Sequence, residues 1–169
     1  EKLIENKIIP IVNPKKLVEE TYDKLDVYSL LKRNNLLTPK TVDLRSIDDA
    51  KGFSYPIMVK PRGGSSGSRN VHILKDKNEL TEIYKKLSKE NVHLLVQEYI
   101  GSEDEEYTVG VMVGSDGRII DSIVMRRKLI GLSRGEERNL NGRDYVLSTG
   151  YSQGFLIDQP DVRKYSELA

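Results

Sequence analysis

YPIMVKPRGGSSGSRNVHIL, Tyr55 to Leu74, ends an apolar run in a lysine and then places three glycines and three serines in six positions, Gly63 to Ser68. Apolar character resumes at Val71. In an extended run Ile57 and Val59 share one face while Met58 and Lys60 share the other. A loop of this composition exposes backbone N–H groups without Cβ interference and adds three hydroxyls, so it can wrap phosphate oxygens closely. The lysine that the strand delivers beside it supplies a point charge.

Order excludes two common phosphate loops. A P-loop carries its lysine after the last glycine and runs into a helix, whereas Arg69 and Asn70 lead into a strand at Val71 to Leu74. Protein kinases place the glycine loop before the strand lysine, the reverse of this chain. The arrangement here is strand, lysine, glycine loop, strand.

Outward from this stretch, Leu25, Val27, Tyr28, Leu30 and Leu31 stand at helical spacings within Tyr22 to Asn34. Leu37, Thr38 and Pro39 lead to a short extended piece at Thr41 and Val42. Asp76 and Glu79 have capping-box spacing, and Leu80, Ile83, Tyr84 and Leu87 repeat as an amphipathic helix does. Val92 to Tyr99 reads as a buried strand. Glu106 to Val113 alternates, with Glu106, Thr108, Gly110 and Met112 opposite Tyr107, Val109, Val111 and Val113. Ser115 to Arg118 supplies a hairpin turn, and Arg118 to Lys128 returns. SRGEERNLNGR, Ser133 to Arg143, reads as a polar loop. At the ends, KIIPIV (Lys7 to Val12) is a strand without a partner, and the helix start at Asp158 to Asp161 has about two turns before Ala169. Both ends look cut, so a piece of a longer protein is expected.

Composition narrows the chemistry. The chain has 169 residues, 37% of them hydrophobic, enough for one core or two small lobes. With 27 basic against 26 acidic residues there is no global pull toward nucleic acid or an anionic membrane. An RNA-binding reading of Arg62-Gly63-Gly64 lacks stacking aromatics, since Phe53 and Phe155 are far apart. Absent cysteines and two isolated histidines, His72 and His93, disfavour thiolate and histidine metal sites. The apolar runs reach about five residues where a spanning helix needs roughly 20, so the expected compartment is the cytoplasm.

Four pieces in order resemble the ATP-grasp superfamily over Thr21 to Lys128. TYDKLDVYSLLKRNNLLTPKT looks like its opening helix and following strand, YPIMVKPRGGSSGSRNV like its second lysine and glycine-rich lid, LLVQEYI like its adenine-holding linker, and EYTVGVMVGSDGRII like the next hairpin with its ribose-facing glutamate. SIVMRRKL adds a likeness to the carbamoyl-phosphate synthase large subunit. The resemblance implies an α+β fold: residues 1–20 as the end of a preceding domain or linker, 21–97 as the small lobe with its lid, and 98–169 as the linker and an incomplete large lobe.

It further implies an ATP site. Lys24 and Lys60 would meet the phosphates from two sides, with Gly63, Gly64, Ser65, Ser66, Gly67 and Ser68 as the lid. Glu98, Tyr99 and Ile100 would hold adenine by backbone groups, Ile100 and Met58 adding apolar contact. Glu106 would face the ribose, with Glu103 and Glu105 as rivals because GSEDEEYT is unusually acidic. Lys128, with Arg126 on the same strand face, would reach the terminal phosphate; a solvated basic edge is the plain alternative.

The implied reaction is ligation: ATP phosphorylates a small carboxylate and an amine-like nucleophile attacks the acylphosphate. Mg²⁺ is implied too, held by a glutamate-x-asparagine strand. Glu137 and Asn139 have that spacing, yet they fall in the polar stretch, so the metal ligands stay unassigned and are expected beyond Ala169. This chain alone is therefore expected not to turn over. A module that binds or senses ATP without catalysis is the second reading.

Overall fold

The computed structural model describes residues 12–63 and 68–169, the side chain of Glu103 excepted. All but Val12 of the expected strand at Lys7 to Val12, and the lid residues Gly64, Ser65, Ser66 and Gly67, lie outside the described residues. Two helices open the described chain, α1 (Lys15–Glu20) and α2 (Lys24–Arg33). Strands β1 (Thr41–Leu44), β2 (Ile57–Pro61), β3 (His72–Leu74) and β4 (Leu94–Glu98) follow, with α3 (Lys77–Lys89) between the last two. They form one antiparallel sheet in the order β1-β4-β2-β3.

Alternation along β2 divides the molecule. Ile57 and Val59, both fully buried, face a core with Leu44, Leu74, Leu94 and Val96 from the sheet and Leu80 and Leu87 from α3. Burying each such side chain contributes about 1.5–3 kcal/mol. The Asp76 carboxylate starts α3 by accepting from the N–H groups of Asn78 and Glu79 at 2.9 and 3.0 Å. Met58 and Lys60 emerge on the opposite face of the sheet.

The second half of the chain is a three-stranded antiparallel sheet in the order β5-β6-β9, made of Tyr107–Val113, Ile119–Arg127 and Gly154–Leu156. Strand β5 is one of its edges. The turn into β6 uses Gly117 at φ +78°, as the expected hairpin requires. Strand β9 runs so close to β6 that a Cβ on Gly154 would lie 2.0 Å from the Arg126 carbonyl oxygen. The last helix, α4 (Pro160–Glu167), has proline in its first turn and docks on β6 through Arg163, whose guanidinium donates to the Ser122 carbonyl at 2.6 Å.

One sequence expectation is overturned. Ser133 to Arg143 is not a loop: Arg134–Leu140 forms β7 and pairs with β8, Arg143–Ser148. Asn141 and Gly142 turn between them at φ +55° and +78°, the primed-turn geometry that asparagine-glycine favours. The residues read as polar because, among the described residues, no second layer covers the outer side of this two-stranded ribbon. On its inner side Tyr145 and Leu147 pack with Ile73 against Met58, Val71 and Tyr99.

An ion pair and further polar contacts fasten the hairpin to α3 and the first sheet. Arg138 donates twice to Glu79 on α3, at 2.6 and 2.8 Å, and also to the Ile73 carbonyl, while His72 Nδ1 lies 3.3 Å from Glu136. The hydrogen bonds from Arg138 hold the Glu79 carboxyl at about 2, against an ordinary 4.5. A carboxyl whose folded pKa is depressed stabilises fully above its unfolded pKa and loses that contribution as pH falls through the folded one. Between pH ~4.5 and ~2 this pair should give up on the order of 3 kcal/mol, and Glu79→Gln should flatten that part of the pH profile. Denaturant unfolding of both chains across this window is the check; parallel curves would assign the pair no net contribution.

Candidate nucleotide-binding site

Between the first sheet and the β7–β8 hairpin lies a cleft of about 330 Å³. Lys24, Met58, Lys60, Ser68, Tyr99, Ile100 and Glu106 line it, so these residues, each singled out from sequence, converge on one space.

The position of Lys60 follows from β2 and is fixed by a chain of partners. Its ammonium donates to the Tyr28 hydroxyl at 2.6 Å and to Gln97 Oε1 at 2.8 Å. Gln97, 3% exposed, donates in turn through Nε2 to Thr41 Oγ1 at 2.6 Å, and the Thr41 hydroxyl donates to the Pro39 carbonyl. Every link has its donor facing an acceptor, so the amide orientation of Gln97 and the direction of Lys60 are set together.

Lys24 is placed differently. Asp23 caps α2 by accepting from the Leu25 N–H at 2.8 Å, and its other oxygen takes Arg62 Nε at 2.6 Å. The Lys24 N–H donates to the Arg62 carbonyl at 3.2 Å, so the first turn of α2 is pinned to the end of β2 and Lys24 reaches the cleft beside Lys60. Burial pushes the Asp23 carboxyl up, but the hydrogen bonds from Arg62 and Leu25 prevail and leave it below its ordinary value.

The linker departs from the expected assignment at one residue. Glu98 does not line the cleft: its N–H donates to the Lys40 carbonyl at 3.0 Å and its carboxylate accepts from the Lys40 N–H at 2.6 Å. Its backbone donor is spent in extending the ladder to β1, so the lining begins at Tyr99 and continues through Ile100, Gly101 and Ser102. Glu105 and Glu106 both reach the cleft. Glu105 accepts from the Ser102 hydroxyl at 2.9 Å, whereas Glu106 is paired with Arg127, whose other nitrogen donates to the carbonyls of Thr149 and Tyr151.

Gly63 lies in a separate groove with Tyr22, Asp23 and Arg62. At the far end of the loop Ser68 donates to the Ser148 carbonyl at 2.6 Å. Arg126 and Lys128 line a neighbouring cavity of about 230 Å³ with Asp104, Arg127 and Phe155. Leu129 borders both spaces. Sequence reading missed the cleft's third wall, Val146, Leu147 and Ser148 of β8. The signal for it was present in the Asn141-Gly142 dipeptide and the short apolar run Tyr145 to Leu147 after it.

Among the described residues no group of three acidic, histidine or cysteine side chains could hold a metal ion. Glu137 is paired bidentately with Arg134 at 2.8 and 3.0 Å, and Asn139 donates to Asp144 at 2.6 Å. These residues do not fit the implied Mg²⁺.

The Lys60 network allows a direct stability test. Gln97→Leu keeps the volume roughly constant but strips Lys60 of an acceptor and Thr41 of a donor, which should cost about 1–3 kcal/mol in denaturant unfolding. An unchanged midpoint would show that the chain of bonds does not hold the lysine.

Comparison with known proteins identifies the domain. The model of the ATP-grasp domain matches residues 21–152. D-alanine–D-alanine ligase of Petrotoga mobilis is 40% identical over 80 residues, 47% of this chain and 26% of that protein, so the chain spans only a minor part of this curated relative. The D-alanine–D-alanine ligase structure from Bacillus anthracis is similar in fold, with TM-score 0.56 at 23% identity over 86% of this chain and 46% of that one. The biotin carboxylase domain of Hydrogenobacter thermophilus 2-oxoglutarate carboxylase, solved with MgADP, ADP and bicarbonate, gives TM-score 0.57 at 24% identity over 73% and 30%. With its strand, lysine and linker walling one cleft and the domain model covering 21–152, the chain belongs to the ATP-grasp family.

Proposed function

We propose that this chain forms the nucleotide-clamping part of an ATP-dependent ligase that activates a small carboxylate as an acylphosphate. The observation that carries the reading is the convergence of Lys24 and Lys60, the linker from Tyr99 and Glu106 on one cleft. In this reading the two ammonium groups meet the phosphate oxygens, and Tyr28 and Gln97 keep Lys60 aimed at them. Linker backbone and the apolar side chains of Met58, Ile100 and Leu147 hold adenine. Glu106, held by Arg127, accepts from the ribose hydroxyls.

Arg126 and Lys128 are assigned to the acceptor side, because their cavity adjoins the cleft at Leu129. There they would neutralise the carboxylate and the terminal phosphate as they approach. A carboxylate oxygen forms a bond to the γ-phosphorus as the bond to ADP breaks; an amine then attacks the acyl carbon and phosphate leaves. Mg²⁺, where the protein holds it, would neutralise phosphate charge. The division at residues 20 and 97 into a preceding segment, small lobe and large lobe is part of this proposal, supported by the first sheet ending at Glu98 and the second starting at Tyr107. So are the carbamoyl-phosphate synthase-like form, which rests on SIVMRRKL, and a cytoplasmic location. No helix among the described residues is long and apolar enough to cross a membrane.

Calorimetric titration with ATP tests the reading. Lys60→Ala removes a charge-assisted bond worth roughly 1.5–3 kcal/mol and should weaken binding about ten- to hundredfold. Equal affinities of the two chains would overturn the assignment. ADP release with Mg²⁺, a panel of carboxylates and an amine, measured on the full-length protein, separates a ligase from a module that only binds ATP.

A further inference from the structure

The linker and the β7–β8 hairpin meet through one side chain. The Tyr99 hydroxyl donates to the Val146 carbonyl at 2.8 Å and accepts from the Val146 N–H at 3.0 Å, so a single phenol satisfies both backbone groups of one β8 residue. This matches the register. Arg138 pairs with Tyr145 and Glu137 with Val146, and antiparallel pairs alternate between exchanging hydrogen bonds and turning those groups outward, so Val146 points its pair away from β7. The Tyr99 ring also packs edge-on against Tyr145, with centroids 5.1 Å apart and planes at 78°. Arg143 adds a second tie, donating to the Gly101 carbonyl at 3.2 Å.

The ties lie at the part of the cleft that the nucleotide reading gives to the base. Tyr99, Ile100 and Gly101 of the linker line the cleft there, and Val146 and Leu147 of β8 line it as a second wall. Two walls that share a hydrogen-bonded pair have one fixed spacing, and a fixed spacing can reject a purine whose edge carries the wrong donors. Walls that drift can adapt to either purine. Released from Tyr99, the Val146 N–H and C=O would face the cleft as a donor and acceptor side by side. Adenine offers an acceptor beside a donor and guanine a donor beside an acceptor, so such a pair can serve both.

We propose that Tyr99 is the residue that sets base selectivity: by binding both backbone groups of Val146 it fixes the spacing of the two base-facing walls and withdraws the β8 edge from the bound base. The inference rests on the nucleotide reading above. It assigns the Tyr99 side chain a positioning role, distinct from the backbone contact with adenine expected from the sequence.

The test is the ratio of ATP to GTP affinity, measured by calorimetry on wild type and Tyr99→Phe. The variant keeps the ring and its packing on Tyr145 and loses only the hydroxyl. A residue that merely supported stability would change both affinities by one factor and leave the ratio alone. The expected result is a preference for ATP in wild type that narrows about tenfold in Tyr99→Phe, accompanied by faster hydrogen exchange at the Val146 amide. Arg138→Gln, which loosens the hairpin at its attachment to α3, should leave the ratio intact. An unchanged ratio in Tyr99→Phe, an equal collapse in Arg138→Gln, or a wild type indifferent to the base overturns the proposal. A wild type that binds neither nucleotide overturns the nucleotide reading itself and this inference with it.

Discussion

A half-buried ammonium on the inner face of β2 is the constraint around which the cleft is organised. Strand alternation leaves Lys60 no choice of side once Ile57 and Val59 have entered the core, and a charge removed from water must find partners. It finds them on two elements far apart in sequence, Tyr28 on α2 and Gln97 on β4. Those partners carry the constraint outward: Gln97 spends its amide on Thr41, fixing the relation of β4 to β1, and Tyr28 ties α2 to the sheet. A polar chain of this kind is favourable only when complete, so the cleft and the first sheet stand or fall as one unit.

The β7–β8 hairpin is the second organising element. It comes late in the chain, beyond β6, yet it is fastened to the early part by Arg138 on Glu79, Ser68 on Ser148 and Tyr99 on Val146. Its root is fixed to the later part, where Arg127 binds the Thr149 and Tyr151 carbonyls and Thr149 donates to the Leu132 carbonyl. A boundary drawn at one point along the sequence therefore describes the strands of the two sheets and misses how the walls of the cleft are joined.

Much of this is legible in the sequence. The α3 periodicity, the β2 alternation and the β5–β6 turn each depend on residues close in sequence, and each element lies where its pattern places it. The cleft was half legible, because Lys24, Lys60, Tyr99, Ile100 and Glu106 belong to motifs with a fixed order. What escaped depends on distant pairing. Glu98 looked available until Lys40, just before β1, took its N–H, and Ser133 to Arg143 looked like a loop because a ribbon packed on one side carries as many charges as a loop does. Arg127, passed over in favour of its neighbours Arg126 and Lys128, proves to be the buried partner of Glu106, a role that no local spacing announces.

The uncharged edge formed by β5 has a consequence for the chain in bulk solution. YTVGVMV carries no lysine, glutamate or proline to discourage a second strand, and Met112 and Val113 are more than half exposed. A formal net charge of +1 offers little long-range repulsion between copies. Pairing along this edge is bimolecular, so it grows with the square of concentration and can slip in register where Gly110 leaves a gap in the side-chain row. Among the described residues the outer side of β5 pairs with no other strand, so a second copy of the same strand could add to it.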